Sequence, residues 1–262
     1  TLGSQRLTVD ETTIVTVSRR PPDNHYLDPI LARIYDLTSP WGADSEFYLA
    51  LADKPSQRIL DLGCGTGMLG DAYARRGHRV TGIDPAQAML EVAARRPYGD
   101  RVKWVQAYAQ DYRSDDRFDL IVMTGHAFQT LLEQSDVRRV FSVARHHLKP
   151  SGRFVFETRN PKLDWAGKWD GQSAELDSEA GPIRMTTRIL GNDTQRVRFE
   201  HTYRLTSETR HSTSTLRFFG HSKIETLLRA EGLSVERTCG DWDASAFAEA
   251  TSPELIFEVK LA

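Results

Sequence analysis

The stretch from residue 58 to residue 70, R-I-L-D-L-G-C-G-T-G-M-L-G, constrains the fold of this chain more than any other feature. An apolar run carries Asp61, and glycines follow at alternate positions 63, 65 and 67. Strand, tight turn and helix in this order are typical of a parallel α/β sheet. Glycine lets the backbone approach a ligand closely, and the N–H groups at the start of the helix point towards it. The stretch therefore predicts a ligand site at this turn.

Strand and helix patterns alternate after this turn. We expect strands at about 57–62, 79–83, 102–106, 118–123 and 152–158, and helices at about 66–76, 86–96 and 136–147. The alternation predicts an α/β fold with a doubly wound parallel sheet. Because ligands of such sheets bind outside the carboxyl ends of the strands, residues at those ends are the candidates for function.

The glycine spacing alone leaves two kinds of ligand open. Gly65, Gly67 and Gly70 also match the dinucleotide pattern G-x-G-x-x-G, and Asp84 follows at about the distance of a ribose-binding acid. Asp84 precedes Pro85, which suits a first helical position. Its carboxylate could accept hydrogen bonds from two ribose hydroxyls, or cap the helix, and both can hold at once.

Composition narrows the class of protein. The chain has 262 residues and a net charge of −2, which argues against a general nucleic-acid binder. Its two cysteines, Cys64 and Cys239, make neither a disulfide framework nor a zinc cluster, so we expect a reducing cytoplasm. We find no signal peptide and no apolar run of roughly 18 residues, so we expect a soluble protein without a membrane partner.

Four segments in order resemble the motifs of class I S-adenosylmethionine-dependent methyltransferases. D-L-G-C-G-T-G at 61–67 resembles the first motif, G-I-D-P at 82–85 the second, F-D-L-I-V at 118–122 the fourth-strand signature and L-K-P-S-G-R-F-V at 148–155 the fifth. The resemblance covers residues 23–160 and resumes near the C-terminal end. It implies a seven-stranded, mostly parallel sheet with an antiparallel last strand. It also implies S-adenosyl-L-methionine as cofactor and S-adenosyl-L-homocysteine as product.

The resemblance also implies cofactor-binding residues. Asp61 would meet the ammonium group of the cofactor, and Asp84 its ribose. The third motif departs from the family, because Tyr108 stands where many members have an Asp that binds adenine; recognition then falls to Tyr108, the backbone near Ala109, or Gln110. Met89 either packs on the adenine or belongs to the core. The predicted set is Asp61, Gly63, Cys64, Gly65, Gly67, Asp84, Pro85, Met89, Tyr108, Ala109, Gln110 and Thr124.

The segment after strand 4, T-G-H-A, bears on the methyl acceptor. It lacks the Asn/Asp-Pro-Pro-aromatic segment of enzymes that methylate base amino groups, so a nucleic-acid substrate is not expected. His126 is the candidate general base, since imidazole titrates near neutral pH; a structural loop histidine is the alternative. Gln129, Glu157 and Arg159 could orient polar groups of a substrate.

Two regions outside the core could enclose a substrate. Helical patterns at 23–37 and 44–52 could form a lid, whose aromatic residues Tyr26, Tyr35 and Trp41 either line the cleft or are core. Residues 161–220 are too many for a loop. They carry strand patterns at 183–190, 195–205 and 212–219, which predict a three-stranded antiparallel cap. The cap either walls a substrate pocket, covers the core or forms a dimer surface. Trp165 and Trp169, four apart, either form an aromatic wall or pack in the core.

The expected organisation has three parts. Residues 1–52 form an N-terminal extension with a β-like run at 12–17 and the lid helices, 53–160 and 221–262 form the core, and 161–220 form the cap. The core should end with a helix at 222–231 and strands at 233–238 and 254–261, with the loop 240–243 at the far end of the sheet.

These features predict a methyltransferase that acts on a nitrogen, oxygen or nucleophilic carbon of a small, partly aromatic molecule, such as a secondary metabolite or cyclic peptide. We expect a monomer or homodimer, with no metal. A nicotinamide-dependent oxidoreductase and a non-catalytic protein that binds S-adenosylmethionine are the alternatives.

Overall fold

The computed structural model describes residues 20–262, so the β-like run at 12–17 lies outside the described residues. A seven-stranded sheet forms the centre of the fold. Its strands are β1 (Arg58–Leu62), β2 (Arg79–Asp84), β3 (Lys103–Gln106), β4 (Phe118–Met123), β5 (Leu148–Arg159), β10 (Leu233–Cys239) and β11 (Glu254–Leu261). They lie in the order β10-β11-β5-β4-β1-β2-β3. Neighbours from β1 to β5 are parallel, whereas β11 is antiparallel to both β5 and β10. The expected sheet with an antiparallel last strand is confirmed.

Helices cover both faces of this sheet, because its central strands are apolar on both sides. The flanking helices are α3 (Ala43–Ala50), α4 (Met68–Arg75), α5 (Gln87–Ala93), α6 (Gln134–His147) and α8 (His221–Ala230). One core holds the apolar residues of α6 and α8, and a second holds those of α3 and α4. Helix α4 begins later than expected, since Gly67 at its N-cap has φ +74°.

The first helical pattern forms two helices instead of one. They are α1 (Asn24–Leu27) and α2 (Pro29–Thr38). Pro29 disfavours helical backbone at Asp28, which is extended at φ −73° and ψ 120°. The Asp28 carboxylate then accepts a hydrogen bond from the Ile30 N–H at 2.8 Å and caps α2.

The cap has four antiparallel strands, so the prediction of three was wrong. They are β6 (Ser173–Ser178), β7 (Gly181–Asn192), β8 (Arg196–Arg204) and β9 (Thr209–Arg217), preceded by the short helix α7 (Trp165–Trp169). The missed strand, β6, has the sequence S-A-E-L-D-S and lies at the edge of the sheet. Edge strands are often short and polar, and such a strand lacks the apolar alternation that identified the others.

The loop after β10 lies at the carboxyl edge of the sheet, so its expected place at the far end was wrong. Strand β10 runs parallel to β5 because β11 is antiparallel to both. The Trp242 ring in this loop is 6.5 Å from the ring of His126, centroid to centroid.

Helices α1 and α2 connect the cap to the core. On the cap side, Asp28 pairs with Arg210 at 2.9 Å, and the His25 N–H donates to Ser212 Oγ at 2.9 Å. On the core side, Asp36 pairs with Arg96 and accepts a hydrogen bond from Thr66 in the glycine turn at 2.6 Å. Within residues 20–262, every helix falls short of the length and apolar character that a membrane span needs.

Candidate active site

A cavity of about 850 Å³ lies between the carboxyl edge of the main sheet, the cap and helices α1–α3. Its core wall carries the ends of β1, β2, β4 and β5, and its cap wall carries side chains of β7, β8 and β9. The volume is within the range of small-molecule sites. In the part of the chain that the structure describes, no cluster of three or more His, Cys, Asp or Glu is arranged to hold a metal.

Asp61 lies on the core wall and is 1% exposed. Its Oδ1 atom has no hydrogen-bond partner among residues 20–262. Burial, followed by the charges of Asp84 and Glu157, raises the pKa of Asp61 to about 7. A buried carboxylate oxygen without a partner is unfavourable by itself. The site is therefore suited to a ligand that brings a cation or a hydrogen-bond donor.

The glycine turn is fixed to the end of β2. The N–H groups of Gly63 and Cys64 both donate to the Ile83 carbonyl, at 2.8 and 2.9 Å. Gly65 has φ +53°, and a Cβ there would meet nothing within 4 Å, so its backbone faces open space in the cavity. Gly67 lies off the cavity wall. A Cβ at Gly67 would lie 2.5 Å from the ring of Trp104, so close packing accounts for this glycine.

Asp84, at the end of β2, holds this turn from the other side. Its Oδ2 accepts from the Gly65 N–H at 3.0 Å, and its Oδ1 accepts from the Ala86 N–H at 2.8 Å. Burial raises the pKa of Asp84 to about 6, although these two hydrogen bonds oppose the shift. Each oxygen keeps acceptor capacity for a second donor, so the local role and the ribose role are compatible.

Most of the predicted cofactor-binding residues line the cavity. These are Asp61, Gly63, Cys64, Gly65, Asp84, Pro85, Tyr108, Ala109, Gln110 and Thr124. Gly67 and Met89 do not line the cavity. Met89 is fully buried and packs with Ala32 and Ala86, which matches the core alternative. The Tyr108 hydroxyl donates to the Arg20 carbonyl at 3.1 Å.

His126 is half-buried on the cavity wall just after β4, in the left-handed region at φ +57°. Its N–H donates to Glu157 Oε1 at 2.7 Å. Its Nε2 lies 3.0 and 3.1 Å from the two carboxylate oxygens of Glu254. Behind them, the Tyr48 hydroxyl donates to Glu157. Glu157 thus holds the backbone of His126, and Glu254 contacts its side chain.

Burial decides the protonation states of His126 and Glu254. It holds the pKa of His126 well below its ordinary value, and the charge of Arg159 acts in the same direction. Burial also raises the pKa of Glu254 to about 7, against the opposing charge of Arg159. We therefore assign a neutral imidazole and a carboxyl that titrates near neutral pH. Because the groups are in contact, these titrations belong to the pair.

The predicted substrate-binding residues divide into two groups. Tyr26, Tyr35, Arg159 and Trp169 line the cavity, whereas Trp41, Gln129, Glu157 and Trp165 do not. Trp41 is 36% exposed and donates to Glu46. Gln129 and Trp165 contact Arg159 but not the cavity, and Glu157 contacts the backbone of His126 but not the cavity.

Sequence reasoning missed several residues of the site, one behind the cavity wall and others on it. Glu254 is the first residue of β11 and pairs in register with Arg159, so only the inserted last strand brings it to His126. The cap contributes Phe199, His201 and Tyr203. Burial lowers the pKa of His201 to about 4, so this ring is neutral at physiological pH. The clean alternation of β8 was the signal that could have assigned these side chains to the cavity.

Residues 59–152 match the family model of a methyltransferase domain. These residues form a methyltransferase domain, and the sheet around them has the strand order and antiparallel last strand expected of the class I S-adenosylmethionine-dependent enzymes. The cypemycin N-terminal methyltransferase of Streptomyces sp. is 29% identical over 135 residues, which are 52% of this chain and 50% of that protein. A ubiquinone biosynthesis O-methyltransferase of Pseudomonas syringae is 34% identical over 117 residues, 42% of this chain and 49% of that protein. The chain spans about half the length of these curated relatives.

Solved structures share the fold over nearly the whole chain. The CcbJ methyltransferase of Streptomyces caelestis has a TM-score of 0.74 at 21% identity and covers 91% of this chain and 98% of its own. The sugar N-methyltransferase KedS8 of Streptoalloteichus sp. has a TM-score of 0.67 at 17% identity and covers 100% of this chain and 99% of its own. The matches confirm the predicted family, fold and cofactor class, and they argue against the nicotinamide alternative.

Proposed function

We propose that this protein transfers a methyl group from S-adenosylmethionine to an amino nitrogen of a small molecule held between core and cap. The contact of Glu254 with His126, which itself lies on the cavity wall, carries the proposal. Two similar solved structures are named as N-methyltransferases, one of a sugar and one of a glycopeptide, and a similar protein is named as the cypemycin N-terminal methyltransferase.

The residues of the glycine turn fit the cofactor. Asp61, with its unpartnered buried oxygen, would hold the ammonium group, and Asp84 would hold the ribose hydroxyls. Tyr108, Ala109 and Gln110 would surround the adenine. The cofactor supplies a methyl group that its sulfonium already makes electrophilic. The protein therefore has to align the acceptor and exclude water.

If the methyl acceptor is an amine, the reaction needs a base. Most alkyl amines carry a proton near neutral pH, and the protonated nitrogen has no lone pair with which to attack. An ionised Glu254 accepts the Nε2–H of His126, which leaves the lone pair on Nδ1. No residue from 20 to 262 forms a hydrogen bond with Nδ1. We infer that burial in the cavity lowers the pKa of the amine, that Nδ1 takes its proton, and that Glu254 stabilises the charged ring.

The enclosure of the cavity suits this reaction. Helices α1 and α2 close it by contacts with the cap and with the glycine turn. The acceptor would lie against the aromatic side chains of Tyr35, Trp169 and Phe199. A closed, partly aromatic cavity favours a small molecule over a polymer.

The test uses donor labelled in its methyl group and acceptor pairs that differ only in the nucleophile, such as benzylamine and benzyl alcohol. We expect label on the amine and an equal amount of S-adenosylhomocysteine. Label on the alcohol alone would refute nitrogen as the acceptor. If S-adenosylhomocysteine binds in calorimetry but no member of a broad panel of such pairs is methylated, the protein is a non-catalytic binder.

A further inference from the structure

We propose that Arg159 binds a carboxylate of the methyl acceptor, so that the substrate is an amine that also carries a carboxylate group. The inference rests on the proposed function, because it takes the ligand of this part of the cavity to be the methyl acceptor. It adds a recognition site and a chemical class of substrate to that function.

The guanidinium of Arg159 is held in place at the end of β5, on the cavity wall. It lies over the rings of Trp169 and Trp165, with its central carbon 5.0 and 5.6 Å from the ring centroids. Its Nη1 donates to Gln129 Oε1 at 2.9 Å. Stacking and one hydrogen bond fix the plane of the guanidinium, so its remaining N–H groups are oriented before a ligand binds.

Arg159 has no ion-pair partner in the part of the chain that the structure describes. Among residues 20–262, no carboxylate oxygen lies within 4.0 Å of its guanidinium, whereas Arg96 pairs with Asp36 and Arg210 pairs with Asp28. Burial lowers the pKa of Arg159, and Glu254 and Glu157 offset this only from a greater distance. A desolvated cation normally has an anionic partner. A carboxylate from the substrate would supply it.

Gln129 supports a positioning role at this site. Its side chain is completely buried, and the hydrogen bond to Arg159 is the one that its oxygen makes. Its Nε2 atom has no partner among residues 20–262. An unsatisfied buried donor is destabilising, so the amide is poorly explained by stability alone. It is well explained by the need to orient the guanidinium.

The charges of the cavity favour a carboxylate over a phosphate. In the described chain, the basic residues on its wall are Arg20 and Arg159, and Arg20 is already paired with Asp23. The wall also carries several acidic residues: Asp23, Asp44, Asp61, Asp84, Glu133 and Asp136. One fork-shaped cation matches one carboxylate in both geometry and charge. A dianion would leave a negative charge uncompensated in these surroundings.

A carboxylate bound at Arg159 would also affect the pKa of His126, the proposed base. Arg159 pairs in register with Glu254, which contacts His126, and the charge of Arg159 is one of the causes that keep the pKa of His126 low. A carboxylate bound to Arg159 would neutralise this effect and raise the pKa of His126. Binding of the correct substrate would thereby strengthen the group that removes its proton.

The test is calorimetry on the full chain saturated with S-adenosylhomocysteine, with phenylacetate and its neutral isostere phenylacetamide as probes. We expect phenylacetate to bind about tenfold more tightly than phenylacetamide. Arg159→Gln should remove this preference, and Arg159→Lys should restore only part of it because lysine lacks the fork. Arg198→Gln is the matched control, because Arg198 is exposed on β8 and does not line the cavity.

Each outcome bears on the proposal. Equal affinity of the two probes, or no binding of phenylacetate at millimolar concentration, overturns it. A preference that persists in Arg159→Gln, with an unchanged melting temperature, also overturns it. Absence of heat from S-adenosylhomocysteine itself refutes the proposed function. Normal binding of this product without a preference for phenylacetate refutes the carboxylate site alone.

Discussion

Lowering the pH should weaken the binding of S-adenosylhomocysteine through protonation of one residue, Asp61. Burial raises the pKa of this carboxyl to about 7, and its Oδ1 has no partner among residues 20–262. The ammonium group of the ligand interacts favourably with the ionised carboxylate only. Binding must therefore release a proton below pH 7, and the affinity must fall as the pH falls.

The size of the effect follows from the pKa. With a pKa of about 7, roughly 90% of Asp61 is ionised at pH 8 and about 10% at pH 6. If only the ionised form binds, the dissociation constant rises about tenfold between these pH values. Asp84, with a pKa of about 6, is about half protonated at pH 6, so it adds up to about twofold to the effect there; the range from pH 7 to pH 8 isolates Asp61.

Calorimetry at several pH values measures this effect, and buffers of different ionisation enthalpy count the released proton. Asp61→Asn should weaken binding at pH 8 by about ten- to a hundredfold and leave only the small pH dependence that Asp84 causes near pH 6. The matched ligand 5′-methylthioadenosine lacks the amino-acid part but keeps the ribose, so its affinity should change by no more than about twofold from pH 6 to pH 8. A constant affinity of the wild-type protein for S-adenosylhomocysteine over this range would refute the assignment.

Five further substitutions test the rest of the site. His126→Ala should lower turnover by about a hundredfold or more in the labelled-methyl assay and leave the affinity for S-adenosylhomocysteine unchanged; an unchanged rate removes His126 from the chemistry. Glu254→Gln should reduce kcat and shift the acidic limb of the pH–rate profile to lower pH, since the group that titrates near pH 7 is gone; a profile identical to wild type counts against the pair. Gly67→Ala should lower the free energy of unfolding by about 2–3 kcal/mol in denaturant titration, because its Cβ meets Trp104 and φ is positive. At Gly65 the Cβ has space, so Gly65→Ala should impair cofactor binding more than stability; equal stability losses would contradict this. Asp36→Asn should raise KM for the cofactor severalfold, because α2 loses its contacts with Arg96 and Thr66; an unchanged KM would show that these contacts do not help to hold the cofactor.

Much of the core could be predicted because its signals are local. The acid and glycines at 61–67 define the first turn, and apolar strands such as β1 and β4 stand out by composition. Each signal depends on neighbouring residues and on backbone geometry that few sequences satisfy. The place of the last strand came from the family resemblance.

The missed features depend on contacts between distant parts of the chain. Glu254 reaches His126 across 128 positions, and no local pattern around either residue indicates the pairing. Strand β6 is polar because it is an edge, so its sequence resembles a loop. Arg159 and Gln129 were both predicted to orient a substrate, but the sequence gives no sign that one lies behind the other.

Helices α1 and α2 have a consequence for the rate of the catalytic cycle. They are joined at one end to β9 of the cap, through Asp28 and Arg210, and at the other to the glycine turn, through Asp36 and Thr66. Entry of an acceptor and departure of the spent nucleoside would therefore both require contacts of this one segment to open. Sequence changes in the cap that accommodate a different acceptor would also alter how quickly the nucleoside leaves. Selectivity and speed would then change together.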